Sequence, residues 1–239
     1  MIVYGRQPVR VALRGRREVA RVWASPRAAR EPWLAGADGG GRGGVELLAA
    51  DDAALAERCG SSDHQGVCAE VSPYQYADPL ELLAADDALV VCLDEVQDPH
   101  NLGAVCRVAE CAGAAGVVVG ERRSAQVTPA VCRASAGAVE HLPVARARNL
   151  ADYLAAAKER EAWVYGASTA QGAVPYDEPD YAGRVVLVLG SEGRGLRPRV
   201  AAACDRLVAL PVRGRVESLN VSTAAAALVY GILHSRRPG

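Results

Sequence analysis

Three segments of this sequence carry polar residues that a packed core has no use for. Asp94-Glu-Val-Gln-Asp-Pro-His-Asn-Leu-Gly-Ala-Val-Cys-Arg107 follows an apolar run and gathers acids, an amide and an arginine. Asn101 reads as the cap of the next helix, and Arg107, six residues on, stands about 120° round that helix from it. Val185-Val-Leu-Val-Leu-Gly-Ser-Glu-Gly-Arg-Gly-Leu-Arg-Pro198 places glycines at 190, 193 and 195 after a second apolar run, where a bare backbone can approach a ligand closely. Leu210-Pro-Val-Arg-Gly-Arg-Val-Glu-Ser-Leu-Asn-Val-Ser-Thr-Ala-Ala-Ala-Ala-Leu228 ends a third run and opens a long helix that either Ser218 or Asn220 can cap.

The chemistry these residues allow is narrower than the glycines suggest. A phosphate loop needs Gly-Lys-Ser or Gly-Lys-Thr, which is missing. A dinucleotide fold sets its glycines in the first strand-to-helix turn, with an acid about 20 residues later. Here they come late, and Glu192 sits inside the run, where a carboxylate repels phosphate but can hydrogen-bond a ribose or an adenine. Taken singly, each segment also reads as an ordinary strand-to-helix loop with a capping side chain and a surface arginine.

The elements that must position them follow from periodicity. Short apolar runs at 89–93, 116–119, 162–166, 185–189 and 207–210 alternate with helical patterns at about 102–114, 129–136, 149–161 and 220–235. Thr128 with Pro129 makes a good helix start, and Asn149 caps the helix after it. Buried strands alternating with helices predict a mostly parallel sheet with helices on both faces. The first half differs. An apolar face at helical spacing runs from Val3 to Leu13, and a short strand lies around Val19–Trp23. A glycine-dense loop covers 36–44, a helical stretch 45–58 and a strand 66–71. Residues 77–88 read as a linker, giving domains at 1–76 and 89–239.

Composition sets the outer limits. The chain has 239 residues, half of them apolar, enough for a real core. No run approaches the roughly 20 apolar residues of a membrane span, and the first residues turn charged too soon for a secretory signal. A cytoplasmic protein with no membrane association is expected. Seven cysteines without a Cys-x-x-Cys pair fit neither a disulfide framework nor a zinc site, so no metal is expected and the thiols read as packing. Net charge is −1, yet residues 1–30 carry eight arginines against Glu18 alone, while 46–98 carry thirteen acids against Arg58 alone. That asymmetry predicts a polyanion-facing surface near the start of the chain, with a solvated helix face as the plainer alternative.

The three segments together resemble the SpoU (TrmH-like) branch of the SPOUT RNA methyltransferases. The resemblance rests on Asn101-Leu-Gly-Ala with Arg107, on Leu189-Gly-Ser-Glu-Gly-Arg-Gly195, and on Leu210-Pro with Ser218-Leu-Asn-Val221, in the family's order over residues 89–239. Tyr4-Gly-Arg-Gln-Pro-Val-Arg-Val-Ala-Leu13 and His64-Gln-Gly-Val67 resemble the small substrate-binding domain of its ribosomal subgroup. The resemblance implies an α/β fold whose C-terminal sheet is tied in a deep trefoil knot, an exception to unthreaded topology. It implies S-adenosylmethionine as methyl donor, held by backbone groups of Gly190, Leu210 and Leu219, and a homodimer whose active site is completed across the interface. The small-residue helix at 220–235 would suit that contact.

It further implies ribose 2′-O-methylation, of a guanosine in 23S ribosomal RNA, with Arg107, Asn101, Glu192, Ser218 and Asn220 as the catalytic set. A guanidinium keeps its proton, so Arg107 suits steadying an alkoxide or gripping a phosphate better than acting as base. Arg122, Arg123, Arg133, Arg6 and Arg10 are candidate RNA contacts. Rival expectations are a transfer-RNA ribose methyltransferase, a catalytically silent RNA-binding protein, and a dinucleotide-dependent enzyme. The absence of phenylalanine leaves any base stacking to Tyr, Trp, His or Arg.

Overall fold

The computed structural model describes residues 1–35, 45–170, 172–216 and 218–236; the glycine-dense stretch 36–44 lies outside them. In chain order the elements are β1 (Ile2–Tyr4), α1 (Arg6–Ala12), β2 (Val19–Ala24), α2 (Pro32–Ala35), β3 (Glu46–Ala49), α3 (Asp52–Cys59) and β4 (Val67–Val71). There follow β5 (Leu89–Asp94), α4 (Pro99–Cys111), β6 (Gly116–Gly120), α5 (Pro129–Ala134), β7 (Val144–Ala147), α6 (Leu150–Glu159) and β8 (Trp163–Ala167). The chain closes with β9 (Val174–Pro175), β10 (Val185–Gly190), α7 (Pro198–Ala203), β11 (Arg206–Ala209) and α8 (Val221–Ser235). They form two units, one of residues 1–75 with 127–141, the other of 76–126 with 142–239.

The first unit is a four-stranded mixed sheet in the order β1-β4-β2-β3, antiparallel except for β2 with β3. Residues 46–49, expected as the start of a helix, are instead strand β3. Leu47 and Leu48 are good helix formers, but pairing with Val22 and Trp23 overrides that local preference. The helix starts only at Asp52, where the Asp51 side chain accepts from the Ala54 amide at 2.8 Å. Helix α5 belongs to this unit. Beyond it, Glu140 is 4% exposed and forms a buried ion pair with Arg17, whose Nε lies 2.9 Å from Oε2.

The second unit holds a seven-stranded sheet in the order β7-β6-β5-β10-β8-β11-β9, with every described pairing between its strands parallel. β5 is buried on both faces along its whole length, as a central parallel strand requires. One face, including Val90, Cys92, Val118, Val164 and Val188, packs with Leu150, Tyr153, Leu154 and Ala157 of α6 and Val200 of α7. On the other face α4 and α8 pack against each other, α4 against β6 and α8 against β10. Helices therefore cover both faces. Residues 77–88 are built into this unit: Ala77 N–H bonds Val144 O at 3.0 Å, and Leu82 and Leu83 join the core under β5. Among the described residues no helix is long and apolar enough to cross a membrane.

Chain order makes β5 a switch point. It pairs with β6, the next strand, on one side and with β10, some 90 residues later, on the other. The register sets Gly190 opposite Asp94, so the loops leaving the carboxyl ends of both strands start side by side. Two of the three polar segments are brought together by that single pairing.

Candidate active site

The glycine segment folds back on itself directly after β10. A Cβ at Gly190 would lie 2.1 Å from the Gly195 carbonyl carbon and 2.4 Å from the Leu196 amide, so only glycine lets the returning strand pass. Gly195 N–H closes the loop on Ser191 O at 2.9 Å, and Gly193 and Gly195 take φ of +77° and +66°. The close approach read from sequence as room for a ligand is thus met, at Gly190, by the chain's own backbone.

Behind this loop lies a cavity of about 510 Å³, within the range of small-molecule sites. Gly190, Leu210 and Leu219 all line it, with Ser218, Thr169 and an apolar wall that includes Leu207 and Leu228. A smaller cavity of about 260 Å³ adjoins it, lined by Glu95, Gln97, Asp98 and Asn101, and the two share Ser191, Glu192, Arg194 and Val221. Glu192 stands in the shared wall.

Three side chains meet there. Asn101 Nδ2 donates to Glu192 Oε1 at 3.0 Å, and Asn220 Nδ2 donates to the same oxygen at 2.6 Å and to Asn101 Oδ1 at 2.9 Å. Glu192 Oε2 keeps no hydrogen-bond partner among the described residues. Asn220 is also the cap of α8, its Oδ1 accepting from the Ser222 amide at 2.9 Å, which settles the choice between it and Ser218. One amide therefore starts the helix and holds the carboxylate.

At the other helix the expectation fails. Asp98, not Asn101, caps α4, accepting from the His100 amide at 2.8 Å with Pro99 in the first turn. The physical reason is that proline presets helical φ and lacks the amide hydrogen that the first turn leaves unpaired. Asn101 sits inside the helix with its side chain released for Glu192 and Asn220. Arg107 is exposed, has no hydrogen bond or ion pair among the described residues, and lines neither cavity.

Sequence reasoning missed the element that holds the loop. Asp94 is fully buried and accepts from the Arg197 backbone amide at 2.8 Å and from its Nε at 2.7 Å. Arg197 immediately precedes α7, a helix the periodicity did not reveal, so this ion pair pins the far end of the glycine loop. An acid closing an otherwise apolar strand was the available signal.

Residues 88–230 match the model described as the SpoU rRNA Methylase family, and residues 2–77 match one described as RNA 2′-O ribose methyltransferase substrate binding. The chain belongs to the SpoU family of RNA methyltransferases. A relative in Bacillus subtilis (strain 168), YacO, named as a TrmH family tRNA/rRNA methyltransferase, is 42% identical over 183 residues, 74% of this chain and 73% of that protein. A Synechocystis (strain PCC 6803) protein named as tRNA/rRNA methyltransferase slr0955 is 34% identical over 241 aligned positions, 98% of this chain but only 62% of that longer protein. Among solved structures, the SpoU methyltransferase AviRb of Streptomyces viridochromogenes, in complex with AdoMet, superposes with a TM-score of 0.83 at 25% identity, covering 99% of this chain and 90% of that one.

The remaining candidates of this SpoU chain line neither cavity. Arg122 and Arg123 are exposed in the loop after β6. Arg10 is exposed on α1, whereas Arg6 is paired with Glu31 at 3.0 Å. Arg133 is half-buried and runs against Gly5, with Nε buried and unpartnered among the described residues. Of the other N-terminal arginines, Arg17 is spent on Glu140 and Arg21 on Glu46 and Glu70, so the basic surface of that segment is smaller than its composition suggests. Among the described residues no cluster of His, Cys, Asp or Glu gathers as metal ligands. Burial pushes the Cys132 thiol up to about 11 and the Cys68 and Cys204 thiols up to about 12, which keeps them protonated at neutral pH.

Proposed function

We propose that this SpoU-family chain methylates a ribose 2′-hydroxyl, of a guanosine in 23S ribosomal RNA, using S-adenosylmethionine. The observation that carries the reading is the pair of adjoining cavities with the Asn101–Glu192–Asn220 cluster in their common wall. The larger cavity fits the donor in volume and in character: apolar walls for a carbon framework, and the polar loop 190–195 in its lining for its polar atoms. Gly190, Leu210 and Leu219 would hold it. Bound there, the donor supplies an electrophilic methyl group on a sulfonium.

The chain's own residues then orient the acceptor. Glu192, held by two amides, offers Oε2 to a sugar hydroxyl, and fixing that hydroxyl supplies much of the rate. Ser218, beside Leu219 in the cavity wall, offers a second polar contact. Arg107 keeps its proton and so steadies a developing alkoxide or the neighbouring phosphate. Its absence from both cavities supports its acting on the site of a second subunit, in a homodimer that uses the outward face of α8 (Thr223, Ala227, Tyr230). The strand order, with β10 inserted between β5 and β8, supports the trefoil knot. A cytoplasmic location suits an RNA substrate.

The match of residues 2–77 to a model described as RNA 2′-O ribose methyltransferase substrate binding supports a ribose acceptor in RNA, the family model over residues 88–230 carries rRNA in its name, and the relatives' names embrace both tRNA and rRNA. Mass spectrometry of nucleosides from ribosomal and transfer RNA, with and without this protein, tests the reading. A missing 2′-O-methylguanosine in 23S RNA is expected. Loss confined to transfer RNA would move the substrate, and no lost methyl mark would refute the proposal.

A further inference from the structure

The largest of the described cavities is neither of those two. A trough of about 1080 Å³ lies in the second unit, along the carboxyl ends of β6 and β7 and the start of α7. Six arginines line it, Arg122, Arg123, Arg146, Arg148, Arg197 and Arg199, against the acids Glu95 and Asp152. The chain as a whole has a net charge of −1, so this is a local concentration and not a general excess.

Two of the six are neutralised internally. Glu95, with a left-handed φ of 55° and a side chain only 11% exposed, lies 3.6 Å from Arg123 and 3.7 Å from Arg197. The other four have no acidic partner among the described residues. Arg122, Arg148 and Arg199 are exposed without hydrogen bonds, and Arg146 lies over the Tyr76 ring at 4.2 Å. Cations gathered without counter-charge repel one another and weaken the fold unless an anion joins them. Glu95 also lines the smaller cavity beside Asn101, so the trough and the acceptor cavity share a wall.

We infer that this trough is a phosphate track, in which Arg146, Arg148 and Arg199 hold the backbone of the RNA strand flanking the methylated nucleotide. Its volume and four uncompensated cations suit a polyanion better than a single phosphate group. The inference rests on the RNA methyltransferase reading for the identity of that polyanion, and it extends the contacts beyond Arg122 and Arg123.

The test is fluorescence anisotropy of the full chain with a labelled 16-nucleotide single-stranded RNA across a potassium chloride series. The triple variant Arg146→Ala/Arg148→Ala/Arg199→Ala is compared with the same three positions changed to lysine. Each phosphate contact on a single strand contributes about 0.7 to the slope of log affinity against log salt. Loss of three lowers the slope by about 2 and affinity at moderate salt at least tenfold, and lysine restores most of it because a point charge suffices. S-adenosylmethionine affinity by calorimetry stays unchanged, and the melting midpoint of the alanine variant does not fall, since the mutual repulsion of the arginines is relieved. An unaltered slope in the alanine variant would overturn the inference. Failure of the wild-type chain to bind S-adenosylmethionine would instead count against the proposed function, leaving the salt slope as an independent reading.

Discussion

Replacing Gly190 by alanine tests the donor cavity with the smallest possible change. The added Cβ would stand 2.1 Å from the Gly195 carbonyl carbon, 2.2 Å from its oxygen and 2.4 Å from the Leu196 nitrogen. Non-bonded carbon atoms settle near 3.5–4.0 Å, so the returning segment must retreat by about 1.5 Å. All three atoms are backbone, and no rotamer change relieves them. The retreat strains the 2.9 Å bond from Gly195 N–H to Ser191 O and moves the wall that carries Glu192. Overpacking of this kind costs about 1–3 kcal/mol of stability, a fall in melting midpoint of roughly 2–12 °C for a chain of this size. Donor affinity should fall further, at least a hundredfold, or about 2.8 kcal/mol. Gly193→Ala is the comparator: nothing lies within 4 Å of its Cβ, and its cost of about 1 kcal/mol comes from φ alone. Calorimetric titration with S-adenosylmethionine reads both variants. A folded Gly190→Ala chain binding the donor within threefold of wild type would refute the argument.

Other outcomes follow from the same geometry. Arg107→Ala should leave donor affinity nearly intact and lower methyl transfer at least a hundredfold, because the side chain lines neither cavity; near-normal turnover on its RNA would remove Arg107 from the mechanism. Arg197→Ala leaves the fully buried Asp94 carboxylate with the backbone amide of residue 197 but without its cationic partner, and should cost about 3 kcal/mol in denaturant unfolding. Asp94→Ala leaves an arginine already half in water and should cost less; the reverse order would contradict the assignment of the buried partner. Alkylation at pH 8 should mark the exposed Cys111 first, since at that pH a thiol shifted to about 11 is ionised in roughly one molecule in a thousand. Peptide mapping that finds Cys132 labelled as fast in the folded chain would show the burial to be wrong.

Much of the chain beyond residue 88 was legible because local chemistry and final structure agree there. Apolar runs became parallel strands, Thr128 with Pro129 opened α5, and Asn149 and Asn220 capped α6 and α8. Where two local signals competed, sequence chose badly. Asp98 and Asn101 are both good caps, and the neighbouring proline decided between them; Leu47 and Leu48 favour helix, and a neighbouring strand decided otherwise. Helix α7, with six residues, was too short for periodicity to register.

What the sequence by itself determined was the inventory: which strands are buried on both faces, which loops carry amides, acids and arginines, and where helices can begin. These depend on residues within a few positions of one another. Only the tertiary structure decided which members of that inventory meet. Asn101, Glu192 and Asn220 are separated by 91 and 28 positions, and the pairing of β5 with β10 brings the first two loops side by side. The same holds for charge, since Arg17 and Arg146 are alike as letters, yet one closes a buried ion pair and the other lies open in a trough. Burial and partnership are properties of neighbours in space, and those are set by how the strands pair.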